Sequence, residues 1–338
     1  MKKASIISLI VICSLASTIA SAQITEKKAF STNQVDMVAS ASSCVLYGSE
    51  GTVFTVRNYP AAPSLTGVRM MAMNPARSSY AAMTKKNIAI YSYLTEDERL
   101  FTVKEIRKMK EKPVPVSMCY SPDARTFLVS NSAGEVVVYS TRDYVPSAYI
   151  KTSAPAAYLA MSPNNRFIAA GMESYVEILN FETHEVRTTL EFDAPVTGVA
   201  FSADAAQFAV TTQKSVYVYD SRKWEVTSTY DLKGVVSSPS FHPEGKYLSV
   251  VKDNSSIQVI NLKNYAVEQV LDENADNIKF NQFFKIYDTF NIISDRRNQI
   301  VLWDANGLSP FYAKELNTAV DSKMNEWMVR QWKNTLSV

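Results

Sequence analysis

Self-similarity with a period near forty residues restricts how this chain can fold more than any other feature. Apolar runs that stop on a polar turn recur along it: QIVLWDANG (299–307), SSIQVINLKNYAVEQ (255–269), KSVYVYDSRKWEVTS (214–228), SYVEILNFETHEVRT (174–188), GEVVVYSTRDYVPSA (134–148), KNIAIYSYLTEDERL (86–100) and GTVFTVRNYPAA (51–62). Aligned on their last large apolar residue, they place Trp303, Ile260, Tyr219, Leu179, Tyr139, Tyr91 and Val56 at one anchor position. The spacings, from the C-terminal end, are 43, 41, 40, 40, 48 and 35 residues. A second marker keeps the same register. The turns MNPARSS, YSPDART, MSPNNRF, FSADAAQ and FHPEGKY carry Pro75, Pro122, Pro163, Ala203 and Pro243 at spacings of 47, 41, 40 and 40. Proline presets φ for a turn, and the Asp, Asn or Gly that follows tolerates a tight connection.

A second apolar run follows each turn, as in TFLVSNS, RFIAAGM, QFAVTTQ and KYLSVVK. Each unit therefore reads as strand, turn, strand, short loop, anchor-bearing strand and a fourth segment such as TTLEFD, TSTYDL or EQVLDE. Four short strands per forty residues predict an all-β, seven-bladed β-propeller, with six or eight as the neighbouring counts because the first repeat is the weakest. The anchors are expected to supply apolar area between blades, at roughly 25 cal/mol per Å² buried. The first strands carry small residues and Met, as expected where they converge.

The Trp303-Asp304 ending, its Tyr219-Asp220 variant and the SPDA, SPNN and HPEG turns resemble those of WD-repeat propellers over about residues 34–320. No repeat has the Gly-His dipeptide common in that family, and the pattern is also similar to TolB-like and lactonase-like secreted propellers. The resemblance implies ring closure by a strand borrowed from one terminus. Segment 24–33 is the candidate, and FYAKELN after Pro310 its competitor.

The first 22 residues, with Lys2-Lys3, an apolar stretch from Ile6 to Leu15 and Ala20-Ser21-Ala22, read as a secretory signal peptide of bacterial type. Export to the periplasm, cell envelope or medium is the expectation. No later stretch has the ~20 apolar residues of a transmembrane helix. The chain carries a formal charge of +2, which the two signal lysines account for; a near-neutral mature chain disfavours nucleic-acid binding. Cys44 and Cys119 fall two blades apart in the repeat register, too far for a disulfide, and are read as small buried residues. The last residues, 321–338, read as an amphipathic helix with Met324, Met328 and Trp332 on one stripe, capped by Asp321 or Ser322.

Catalytic chemistry finds little support. The two histidines, His184 and His242, occupy different repeat phases and are read as solvated turn residues. No phosphate loop, nucleophile elbow or metal-ligand spacing appears, so no catalytic, cofactor or metal residue is assigned. DENADN (272–277) reads as a polar connector. The loops between second and third strands instead gather Lys85, Lys86, Lys214, Lys252, Arg296 and Arg297, against Glu50 and Glu173. The expectation is a protein-interaction or scaffold module of the envelope, with this face docking an acidic segment or glycan of a protein partner. The alternative is a lactonase-like hydrolase with a metal in the central channel. An insertion, residues 94–115, with five acids and six bases, is expected at the rim.

Overall fold

The computed structural model describes residues 25–31, 35–39, 44–48, 53–55, 68–75, 79–84, 87–92, 99–103, 112–271, 278, 281–286, 289–296 and 299–304. All regular structure among them is β, in antiparallel sheets built from sequence-adjacent strands. Strand β1 (Thr25–Ser31) precedes a three-stranded sheet of β2 (Val35–Ala39), β3 (Cys44–Gly48) and β4 (Val53–Thr55). Next come β5 (Val68–Met73), β6 (Ser79–Thr84), β7 (Ile88–Ser92) and β8 (Arg99–Val103). The third sheet is β9 (Pro115–Tyr120), β10 (Thr126–Asn131), β11 (Glu135–Ser140) and β12 (Pro146–Lys151). The fourth is β13 (Tyr158–Met161), β14 (Phe167–Gly171), β15 (Tyr175–Asn180) and β16 (Val186–Glu191). The fifth is β17 (Val196–Phe201), β18 (Gln207–Thr212), β19 (Ser215–Asp220) and β20 (Glu225–Asp231). The sixth is β21 (Val236–Phe241), β22 (Tyr247–Lys252), β23 (Ser256–Asn261) and β24 (Ala266–Leu271). The last holds β25 (Asn281–Ile286), β26 (Thr289–Arg296) and β27 (Gln299–Asp304), with β1 as its fourth, outer strand.

The four-strand unit read from the repeat is thus the unit of structure, and segment 24–33 supplies the strand that pairs with the Trp303-bearing strand, from Thr25↔Asp304 to Ser31↔Gln299. First strands of successive sheets lie against each other from β2 through β5, β9, β13, β17 and β21 to β25, and β2 also meets β26. The signal segment, Val56, the competing segment FYAKELN and the C-terminal 321–338 lie outside the described residues, as do all but 99–103 and 112–115 of the rim insertion.

Register explains the anchors. In every third-to-fourth strand ladder from β7 to β24, the pairing shifts at the anchor, between Ile90/Tyr91, Val138/Tyr139, Ile178/Leu179, Val218/Tyr219 and Val259/Ile260. Such a bulge bends and twists the strand. Each anchor faces a large residue on the second strand: Tyr80↔Tyr91, Phe127↔Tyr139, Ile168↔Leu179, Phe208↔Tyr219, Leu248↔Ile260 and Ile292↔Trp303. Tyr139, Leu179, Tyr219 and Ile260 are buried in cores that each span two sheets. One such core joins Ala169, Val176 and Ile178 of the fourth sheet to Phe208, Val210 and Tyr219 of the fifth. Tyr91 is half-buried and stacks on Tyr80 at 5.6 Å.

Near the first strands the sheets are also tied by polar groups. Ser117 Oγ donates to the carbonyl of Ala156 at 2.7 Å, and the Ala156 amide donates to Ser130 Oγ at 2.9 Å. Thr197 repeats the first contact two sheets on, toward the Val236 carbonyl. Asn281 is held by Ser238 and Ser249, and the Phe283 amide by Ser240. Gly198 marks the closest approach, since a Cβ there would meet Pro239 Cδ at 2.5 Å.

Leu179→Ala and Ile260→Ala should each lower stability by about 2–5 kcal/mol, because both side chains are fully buried between sheets. Gly198→Ala should cost about 1–3 kcal/mol by forcing inner strands apart. Val226→Ala, at a residue 50% exposed on an outer strand, should change stability by less than about 0.5 kcal/mol. Urea unfolding midpoints check all of these.

Candidate interaction face

The antiparallel order sends turns between first and second strands, and between third and fourth, to one end of each sheet. Turns between second and third strands emerge at the other end, beside the connectors that enter the next sheet. The two ends differ in construction.

At the first end, Ser121, Ser162 and Ser202 are buried and organise their turns from within. Ser121 Oγ donates to Asp123 Oδ1 at 2.6 Å and accepts from the Thr126 amide at 2.9 Å. Ser162 with Asn164 and Phe167, and Ser202 with Asp204 and Gln207, repeat the pattern. The residue three after each serine adopts positive φ: Ala124 at 60°, Asn165 at 54° and Ala205 at 56°, with Gly245 at 68° in the sixth sheet. These bonds hold non-glycine residues in a left-handed conformation that L side chains ordinarily avoid.

His242 takes the serine's place and departs from the solvated turn histidine expected of it. It is 3% exposed, its Nδ1 accepts from the Glu244 amide at 3.0 Å, and its ring meets Phe283 edge-on at 5.1 Å. Burial pushes its imidazole down to about 4. The ring is held inward by the bond from Glu244, two residues on where the serines accept from five residues on, and by the space it fills against Phe283 of the next sheet. His184 is exposed, as read from the sequence. It sits at φ 62° in the hairpin between β15 and β16, where the neighbouring sheets place Tyr144, Trp224 and Tyr265 at φ 54°, 61° and 56°. Tyr144 and Trp224 fold back onto Phe127 and Phe208, with ring centroids 5.8 Å apart in both cases. The fourth sheet has Ile168 opposite Leu179 there, and offers no aromatic partner. The two histidines belong to different sheets.

Of the six basic residues singled out in the sequence, the described residues place Lys214 and Lys252 at the second end. Lys214 lies in the β18–β19 turn and Lys252 ends β22, so these two occupy corresponding loops. Each has a carboxylate beside it. Lys214 Nζ lies 3.0 Å from Asp193 Oδ2, and its hydrogen bond and charge hold the Asp193 carboxyl below the usual carboxylate range. Lys252 Nζ lies 3.9 Å from Asp253 Oδ2. Arg296 closes β26 with its side chain outside the described residues; Lys85, Lys86 and Arg297 lie outside them altogether.

These turns are pinned at a fixed offset. The amides of Ser132, Gln213 and Asp253 donate to the carbonyls of Val114, Pro195 and Val235, each eighteen residues earlier on the connector entering the same sheet. Asp253 Oδ1 also accepts from the Val235 amide at 2.8 Å, which requires Gly234 beside it to lack a side chain. The face is held by backbone, so its loops present fixed geometry.

On this face a cleft of about 330 Å³ opens between the sheet β5–β8 and the sheet β9–β12. Ile88, Val103, Val129 and Val137 form its apolar walls; Asn87, Thr102 and Lys112 stand at its polar margin. Asn131, also in the wall, spends its side chain on Glu135 Oε2 at 3.0 Å and on the amides of Ala133 and Glu135. Among the described residues no ion pair engages Lys112. The sequence reading did not find this cleft, although the 48-residue spacing between Tyr91 and Tyr139 falls at this sheet boundary.

Cys119 is half-buried, more accessible than expected, yet its thiol is desolvated and pushed up to about 12. The side chain of Cys44 lies outside the described residues. Among the described residues no group of three His, Cys, Asp or Glu side chains could hold a metal ion, and no helix is long and apolar enough to cross a membrane. Neither a protein-family model nor a curated protein matches this chain. What its described residues define is a class of architecture: an all-β succession of antiparallel sheets, six of four strands and one of three, with cores shared between neighbours.

His242 should make stability depend on pH in a defined direction. The unfolded imidazole, ordinarily near 6.5, gains its proton before the folded one does at about 4. Its contribution is therefore complete above pH 6.5 and lost as pH falls toward 4. Between about pH 7 and about pH 4.5 the wild type should lose roughly 1–2 kcal/mol more than His242→Asn, after allowance for solvent screening. Asparagine is the residue the second sheet uses at this position, as Asn74, whose amide likewise donates to the carbonyl five residues on. Urea titrations at the two pH values check it; equal losses in both proteins would refute the assignment.

Proposed function

We propose that this chain is an exported seven-bladed β-propeller of WD-repeat-like type that works as a protein-interaction or scaffold module of the bacterial cell envelope. The observation that carries the reading is the second-to-third-strand face, where the turns of the third, fifth and sixth sheets are pinned by backbone bonds at a constant offset and those of the fifth and sixth bear Lys214 and Lys252. A surface whose loops are ordered in advance loses little entropy on binding, and that favours recognition. Seven sheets among the described residues, β1 completing the C-terminal sheet, and the contact of β2 with β26 support a closed ring of seven blades. The signal-like N-terminus supports export.

The partner proposed is a protein presenting an acidic segment or glycan to Lys85, Lys86, Lys214, Lys252, Arg296 and Arg297. Since Lys214 and Lys252 each have a local carboxylate, Lys85, Lys86, Arg296 and Arg297 are the positions to change. Reversing these four charges together should abolish retention of partners from a solubilised native envelope fraction and leave the unfolding midpoint within about 0.5 kcal/mol of wild type. Unchanged retention by the folded variant would exclude this face as the docking surface.

A further inference from the structure

We infer that the cleft between the sheets β5–β8 and β9–β12 receives one large apolar side chain of an acidic peptide segment, with Lys112 holding a flanking carboxylate. The inference rests on the docking role proposed for this face and names the chemistry of its occupant.

Three observations converge on it. The walls, Ile88, Val103, Val129 and Val137, are apolar, and the volume of about 330 Å³ is at the small end of ligand pockets, enough for one bulky side chain. The margin offers donors: the Lys112 ammonium, not engaged by another described side chain, and the Asn87 side-chain carboxamide, with the Thr102 hydroxyl beside them; the Asn87 backbone amide is taken by Thr84 Oγ1 at 3.2 Å. Glu135 is tied to Asn131 and sets no free carboxylate against Lys112. The sequence on both sides is basic. Asn87 follows directly on Lys85-Lys86, and Lys112 ends the run KEIRKMKEK, with five bases against two acids. An apolar hole with a basic margin selects a ligand that is apolar at one point and anionic around it. A wholly apolar ligand would leave the ammonium unused, and a purely acidic one would leave the walls empty.

The cleft is also where the repeat is broken. The connector entering β9 is longer than those that follow, and Pro113 and Pro115 stiffen its end at the cleft margin. In repeat architectures, insertions on one face commonly form the binding surface.

The test uses the mature chain and two fluorescein-labelled pentapeptides, Glu-Glu-Leu-Glu-Glu and the same peptide with a central serine, read by fluorescence anisotropy. The leucine peptide should bind, and the serine peptide roughly tenfold more weakly, since one buried apolar side chain contributes about 1.5–3 kcal/mol. Lys112→Glu, at an exposed position that leaves the fold intact, should weaken the leucine peptide by roughly tenfold or more, and added salt should do the same. Equal binding of the two peptides, no binding of either, or full affinity in Lys112→Glu would each overturn the proposal. The broader docking role has its own readout. If envelope partners are lost on reversal of Lys85, Lys86, Arg296 and Arg297 while Lys112→Glu binds the peptide normally, the face stands and the cleft falls.

Discussion

A four-stranded sheet has two faces and too few strands to be stable with either in water, so each sheet here exists only because another covers it. The buried cores follow this rule. Those described run between sheets, joining the second to the third and so on to the sixth and the last, and none is confined to one sheet. Alternate residues of one strand therefore serve different neighbours. In β15, Val176 and Ile178 pack toward the fifth sheet while Leu179, on the opposite face of the strand, packs toward the third. The anchors Tyr139, Leu179, Tyr219 and Ile260 are large because each fills the interface with the preceding sheet. The inner-strand bonds from Ser117, Thr197 and Asn281 fix the spacing that this packing needs.

The turns carry the strain of the arrangement. Among the described residues eleven non-glycine positions have positive φ, and most recur at the same two points of the repeat. Each recurring site is held by a side chain next to it. At the first turn it is a buried serine or His242. At the outer hairpin it is the residue after the anchor, where Asn180, Asp220 and Asn261 accept from amides two residues on. Outer strands, which present unpaired edges, alternate Val186, Val226 and Val267 with Arg187, Glu225 and Glu268, and charge on an edge discourages further strand pairing.

Much of this was legible in the sequence because the repeat averages over local ambiguity. A single run such as SYVEILN could be an edge or a core strand, but its recurrence at a forty-residue period assigns its place in the sheet. The pairing of 25–31 with the Trp303 strand was legible for a different reason: one segment near the N-terminus had strand character and no repeat of its own. What stayed hidden depends on contacts between residues far apart in sequence. Nothing in the SFHPEG turn distinguishes a solvated histidine from one pressed against Phe283, forty-one residues away. The Asp193–Lys214 pair, twenty-one residues apart, likewise turns an apparent bare cation into a neutral pair. The left-handed aromatic at the outer hairpin was visible in principle, since Tyr144, Trp224 and Tyr265 each follow their anchor by five residues.

The same contrast bears on where recognition resides. Positions that repeat are committed to packing: anchors, turn serines and hairpin aromatics satisfy the demands of neighbouring sheets and have little freedom for anything else. Function in such a chain has to occupy what the repeat leaves unconstrained, and fold alone does not supply it. Between the second and third sheets the period lengthens to 48, and there a cleft with Lys112 at its margin opens beside the core the two sheets share. From the third sheet to the sixth, where spacings hold at 40 or 41, the cations Lys214 and Lys252 on the same face are matched by acids. Lys112 stands apart from both patterns. It is outside the packing, it has no carboxylate paired to it among the described residues, and it sits at the point where the regular spacing fails.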